Sequence, residues 1–333
     1  MMQRWLLAVT ALALGIGLMI GQASESAAIL QMETHTNDAN ALTVESSVYK
    51  STAPALPGSV SLLAPTPFEA QVNAWIASLA AQDDFRDWQG ATWTRYPLGA
   101  GMHGYLVLLR KNGNEIGYLV AGEAEDGSLK LIEYGSGPSP LFSMKTLYRS
   151  LVQSELIPSD SAETSDTATP PVPVQRLYYS PLHAVWKVPS GSEWIYIDAV
   201  TGEQLPLTSP SFEPLRAFDS AQAVPGNLPR LLRSLVQPSF DPFDNTYWIT
   251  DKPLHADSAE QLSAVLESAD NPVMFKANLY GRQVLAPFAV TGLHHWEGSE
   301  PYIRLEQEGL RFIPFEVLKE YGTFHQQRES RTS

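Results

Sequence analysis

Apolar residues recur with helical spacing in a few segments of this chain and alternate with polar ones in many more. After Thr66-Pro67, the residues Phe68, Val72, Trp75, Ile76 and Leu79 fall on one helical face. Thr66 stands at the cap, Pro67 at the first helical position and Glu69 at the third, so a capping box opens a helix at Pro67. Three β-type runs follow: Gly104 to Arg110, Glu115 to Gly122 and Ser128 to Tyr134. Asn112-Gly113 and Asp126-Gly127 between them supply the positive φ values of tight hairpins, which predicts a meander. Gly135 to Pro138 breaks the sheet, and Ser143 caps a second amphipathic helix carrying Met144, Leu147, Tyr148 and Leu151. The stretch Arg86 to Pro97 reads as a loop, and the module as α-β-β-β-α.

Alternation returns between Tyr178 and Leu207. Ala184, Trp186 and Val188 share one strand face, and Trp194, Tyr196 and Asp198 alternate with Ile195 and Ile197 across a Pro189-Ser190-Gly191-Ser192 turn. Further on, Leu228, Leu231, Leu232 and Leu235 predict a short helix, and Asp257 and Glu260 frame another with Leu262, Val265 and Leu266 inward. Strands are expected at Pro272 to Leu279, Leu285 to His294, Tyr302 to Glu306 and Leu310 to Ile313, with a Glu308-Gly309 turn and a last helix from Pro314 through Phe315, Val317 and Leu318. The fold class is α+β: two small modules with antiparallel sheets, joined by Ser/Thr/Pro-rich linkers. Their spans are 66–155 and 225–325, with a hairpin at 177–207 and linkers at 156–176 and 208–224; a tail occupies 326–333.

The first residues break this amphipathic pattern. Arg4 precedes the uncharged run Trp5 to Gly21, followed by polar Gln22 to Ser26, which is the order of an export signal. Residues 1–23 are therefore a signal peptide or signal anchor, with small residues for cleavage at Gly21-Gln22-Ala23 and Ser26-Ala27-Ala28. The apolar run approaches the about 17 to 25 residues that span a bilayer, so an uncleaved anchor is the alternative. A tether rich in Ser, Thr, Ala and Asn occupies 24–65. The expected location is extracytoplasmic, secreted or held at the membrane by the N-terminal segment alone.

The chain has no cysteine, which excludes a lipoprotein anchor, a disulfide framework and a thiolate nucleophile. With 44% hydrophobic and 17% charged residues in 333, it can bury a core. The net charge of −14, from 22 Lys+Arg and 36 Asp+Glu, argues against nucleic acid or anionic lipid as a partner.

The candidate chemistry is thin. Asp198 and Glu203 are two carboxylates where Ca²⁺ takes about six to eight oxygens, and the side chains of Asp198 and Thr201 suit a turn closed by Gly202. His294 and His295, with Glu297 nearby, suggest a metal cluster, but neighbours on a strand point to opposite faces, and a surface turn beside Trp296 is favoured. His103, His183, His255 and His325 lack metal or triad spacing, and no phosphate loop or Gly-x-Ser-x-Gly elbow occurs. Trp88, Trp93 and Tyr96 form either core or an aromatic loop able to stack on cell-wall sugar rings.

Two resemblances complete the reading. Tyr196-Ile197-Asp198-Ala199-Val200-Thr201-Gly202-Glu203, within Tyr178 to Leu205, resembles the closing strand of a PepSY domain. That resemblance implies a non-catalytic extracytoplasmic module of the kind found in bacterial peptidase propeptides and cell-envelope proteins. Ala286-Pro287-Phe288-Ala289-Val290-Thr291-Gly292, within Asn271 to Phe324, resembles the closing half of a papain-like peptidase domain of the C39 type. The family's histidine position falls here at Ala286 or Pro287, so the resemblance implies an inactivated peptidase. The expected function is non-enzymatic binding of a peptide or protein partner at the bacterial cell envelope, with no cofactor, no metal site and no catalytic residues. The alternatives are a cell-wall-associated structural protein or, less favoured, a metal-assisted hydrolase.

Overall fold

The Thr66 signal produces the helix it promises. In the computed structural model, which describes residues 49–50, 65–98, 104–124, 127–158, 172–208, 230–244, 246–268 and 272–326, helix α1 (Pro67–Ala80) starts from a complete capping box. The Thr66 N–H donates to Glu69 Oε2 (2.8 Å) and the Glu69 N–H to Thr66 Oγ1 (3.3 Å). Val72, Trp75 and Leu79 are buried, while Phe68 and Ile76 pack at the margin. The export segment, most of the tether and the greater part of both later linkers lie outside the described residues. One piece of the tether forms a strand, β1 (Tyr49–Lys50).

The segment expected to be a loop is instead a 3₁₀ helix (Asp83–Trp88) followed by β2 (Thr92–Pro97). Thr92-Trp93-Thr94-Arg95-Tyr96 is rich in strand formers, and pairing with the next strand overrides the flanking Gly90 and Pro97. The meander then appears as β3 (Gly104–Lys111), β4 (Asn114–Glu123) and β5 (Leu129–Ser136). Asn112 (φ 51°) and Gly113 (φ 82°) take the left-handed conformations that the first turn requires. Helix α2 (Met144–Gln153) follows its Ser143 cap.

A separate four-stranded sheet comprises β6 (Gln175–Ser180), β7 (His183–Ser190), β8 (Glu193–Asp198) and β9 (Gln204–Leu205) in sequential antiparallel order. Trp186, Val188 and Ile197 enter the core made by β3, β4 and α2, whereas Val185, Tyr196 and Leu205 enter the core of the C-terminal strands. Both faces of this sheet are therefore covered, which explains the nearly continuous apolar run of β7.

The leucines read as a helix form β10 (Leu231–Val236), paired with the far end of β12 so that Leu235 faces Leu293; Leu228 lies outside the described residues. So short an apolar run carries helical and extended patterns equally, and the open flank of β12 decides. A one-turn helix, α3 (Tyr247–Thr250), precedes α4 (Ala259–Ser268), where the Ser258 hydroxyl accepts from the Gln261 N–H (3.3 Å). Strands β11 (Val273–Leu279), β12 (Val284–Trp296), β13 (Tyr302–Glu306) and β14 (Leu310–Pro314) occur where alternation placed them. The short helix α5 (Phe315–Tyr321) and a strand that alternation did not reveal, β15 (Gly322–Gln326), close the order.

The large sheet runs β1-β2-β3-β4-β5-β14-β13-β12-β11-β15, eleven strands with β10 beside β12. β5 and β14 join the early and late strands, Phe312 opposite Tyr134 and Arg311 opposite Gly135. One face carries α1 and the 3₁₀ helix over Trp75, Phe85, Trp88, Tyr134, Tyr302 and Phe312. The other carries the small sheet with α2, α4 and α5. Helices with antiparallel sheets make the protein α+β.

Candidate functional site

A cleft of about 600 Å³ opens where the 3₁₀ helix, the β3–β4 hairpin and the start of α2 meet. Three elements supply its charges. Asp84 and Asp87 come from the 3₁₀ helix, Arg110 and Glu115 from the hairpin, and Lys145 from the first turn of α2. Each carboxylate already has a partner. Asp84 receives Arg304 (3.0 Å), Asp87 faces Lys111 (3.6 Å), and Glu115 binds Arg110 (3.1 Å). Glu115 also accepts a short hydrogen bond from the Ser143 hydroxyl (2.6 Å), whose oxygen in turn accepts from the Thr146 N–H (3.4 Å). The helix cap is thus tied to the hairpin, next to Lys145 in the cleft lining. Lys145 is exposed and forms no ion pair among the described residues.

The cleft wall includes Trp88, fully buried, with an indole N–H that has no hydrogen-bond partner. Gly117 makes this position possible, because a Cβ there would lie 2.7 Å from the indole ring. The chemistry on offer is therefore donation and charge pairing in a polar recess, a recognition surface for a ligand rich in acceptors.

A hydroxyl and an imidazole do meet elsewhere, in the turn between β6 and β7. His183 Nδ1 lies 2.8 Å from Ser180 Oγ, and the Tyr280 N–H donates to His183 Nε2 (3.4 Å). That second bond places the ring proton on Nδ1, pointing at the serine. A general base must offer the serine a lone pair, so this pair is a turn brace rather than an activated nucleophile. Burial pushes the His183 pKa down to about 4, which keeps the ring neutral.

Two buried arginines link distant parts of the chain. Arg311 on β14 donates to Glu133 Oε2 on β5 (2.9 Å), to the Tyr118 hydroxyl (3.2 Å) and to the Pro181 carbonyl. The Glu133 carboxyl is raised above its ordinary range by burial, against the opposing pull of Arg311. Arg304 on β13 reaches Asp84 from the opposite face of the sheet and also donates to the Thr291 hydroxyl.

The residues singled out in the sequence do not converge. His294 and His295 point to opposite faces, but they lie within β12 rather than in a surface turn, because β10 and β13 extend the ladder through them. His294 is buried among Phe85, Tyr134 and Phe312, and the Tyr134 hydroxyl, which accepts from the Trp296 indole (2.9 Å), meets His294 Nδ1 at 2.9 Å. His295 turns to the Ser299 carbonyl, and Glu297 is exposed. Asp198 Oδ1 accepts from the N–H groups of Val200 (2.9 Å) and Thr201 (2.8 Å), with Gly202 at φ 76°, and Glu203 is exposed. Turn chemistry accounts for that motif.

Among the described residues no three His, Asp or Glu side chains converge as metal ligands would. Trp88 and Tyr96 are buried in different cores, and Trp93, half-buried, donates to Asn73 (3.0 Å), so the three rings form no common exposed platform. Ala286 and Pro287 sit in mid-strand opposite Ala277 and Lys276. His103 lies outside the described residues.

Sequence reasoning found Ser143 as a cap but missed Glu115 as its partner, since the two are 28 residues apart. For Arg311 a signal existed, a lone charge inside an apolar strand run, whereas Glu133 shares its strand with Lys130. No family model, curated protein or solved structure matches the chain.

Proposed function

We propose that this is an extracytoplasmic, non-catalytic protein that binds peptide or protein partners, and that it receives them in the cleft beside α2. The observation that carries the reading is the exposed Lys145 ammonium, without an ion pair among the described residues, in the lining of a recess whose carboxylates are all engaged. Such a recess rewards a ligand bringing carbonyls and a carboxylate, the chemistry of a polypeptide and its acidic side chains or C-terminus. Its volume of about 600 Å³ suits a few residues rather than a domain. The export-type N-terminus supplies the compartment.

The test is binding of a fluorescent peptide library by anisotropy, with Lys145→Glu as comparison. Loss of one charge-assisted hydrogen bond should weaken the selected peptides by about tenfold. Equal binding by the variant would remove the cleft from the reading, and turnover of any library peptide would remove its non-catalytic part.

A further inference from the structure

Strand β2 lies next to the outer end of the large sheet, and its two sides are treated unequally. Toward β3 all six residues are in register without a bulge, from Thr92 opposite Arg110 to Pro97 opposite Tyr105. On the outer side only Thr94 and Arg95 have partners, Lys50 and Tyr49 of β1. Thr92, Trp93, Tyr96 and Pro97 have no outer strand opposite them among the described residues.

A regular outer strand of this length is a template for further strands, and proteins ordinarily blunt it with a bulge, an outward charge or a covering segment. The other end of the sheet follows that rule: on β15 the Phe324 carbonyl accepts from the Leu254 N–H (2.8 Å), so a neighbouring segment covers it. β2 itself carries a proline, Pro97, at its end and one charge, Arg95. The Arg95 guanidinium is folded over the rings of Phe68 (4.5 Å) and Tyr105 (5.0 Å). Among the described residues, its cover is Tyr49 and Lys50 of the chain's own tether.

We infer that β2 is a strand-accepting edge whose ligand is an extended polypeptide segment that adds antiparallel to β2 and displaces Tyr49–Lys50. This surface is independent of the cleft beside α2. Main-chain hydrogen bonds supply the attraction, as in other strand additions, so the edge tolerates varied sequences. Selection comes from a neighbouring recess of about 400 Å³ lined by Phe68, Gln71, Arg95 and Tyr105. There the Gln71 side-chain amide nitrogen is buried without a hydrogen-bond partner, ready for an acceptor on the arriving segment. The fourteen residues 51–64 join Lys50 to the start of the α1 region, so the tether competes from within the same chain at high effective concentration.

The experiment uses the full chain and a fluorescent peptide of residues Val44 to Ala53, added in trans. In a Tyr49→Pro/Lys50→Pro variant, whose tether cannot pair, the peptide should bind at least about tenfold tighter than to the wild type. The same peptide N-methylated at Tyr49 and Lys50 should not bind. Amide exchange over 92–97 should be faster in the variant and slow again when peptide is added. Equal affinity for variant and wild type, binding of the N-methylated peptide, or unchanged exchange over 92–97 would each overturn the inference. Lys145→Glu separates the two sites. Strand binding should survive it, and its loss there would assign the peptide to the cleft instead.

Discussion

Arg304 and Arg311 sit on adjacent strands of one sheet, point to opposite faces, and each draws in a carboxylate from the early part of the chain. Arg304 lies opposite Phe312, and Leu305 opposite Arg311, so the pairing itself puts the two guanidinium groups on different sides. Their surroundings differ more than their partners do. The Asp84 side chain is 20% exposed at the edge of a cleft, whereas that of Glu133 is wholly buried between the two sheets. A carboxylate that can rehydrate loses little when its partner goes; one that cannot is stranded. The same residue type is thus a replaceable clamp on one face and a structural commitment on the other.

Removing Arg311 should have the largest effect. Arg311→Met leaves Glu133 buried and uncompensated, with an expected loss of about 3 to 5 kcal/mol in urea unfolding; a loss below about 1 kcal/mol would end the comparison. Adding Glu133→Leu to that variant removes the stranded charge and should restore most of the stability, leaving about 1 to 2 kcal/mol unrecovered from the Tyr118 hydroxyl. Failure of the second substitution to rescue the first would mean that the arginine acts by its packing instead.

Arg304→Met should cost less, about 1 to 2 kcal/mol, because Asp84 turns to water and the main penalty is the buried Thr291 hydroxyl. A cost equal to that of Arg311→Met would show that exposure of the carboxylate does not decide the matter.

The finest difference lies in acid. His294 is pushed down to about 3, by burial first and by the Arg304 charge second. A base whose pKa is lower in the folded state stabilises above its unfolded pKa, near 6.5, and that stability is lost as pH falls toward about 3. His183, at about 4 from burial, adds a loss of the same sign. Arg304→Met should raise the His294 pKa and so reduce the acid loss, while Arg311→Met leaves that pKa alone. Imidazole titration by NMR tests both; equal shifts would deny the separation of the faces.

Much of this architecture could be read along the chain, for identifiable reasons. The Thr66-Pro67-Phe68-Glu69 start, the Asn112-Gly113 turn and the Asp198 to Gly202 turn are made by neighbouring residues, and each formed as its chemistry requires. The leucines of β10 and the Trp-Thr-Arg-Tyr of β2 become strands through partners outside the run itself, β12 far along the chain for the one and the neighbouring β3 for the other. The cleft was illegible for the same reason. Ser143 announced a cap, but Asp87, Arg110, Glu115 and Lys145 become one surface only when a helix end, a hairpin and the 3₁₀ turn are packed together.

The sequence by itself determined the α+β class, the capped helix starts at Thr66 and Ser143, the Asn112-Gly113 and Asp198 to Gly202 turns and the absence of any cysteine chemistry, because these depend on composition or on residues a few positions apart. Tertiary structure decided which buried charges are paired and which histidines are buried. Those outcomes depend on residues such as Glu133 and Arg311, 178 positions apart, whose meeting is set by the pairing of β5 with β14 and by the low dielectric that pairing creates.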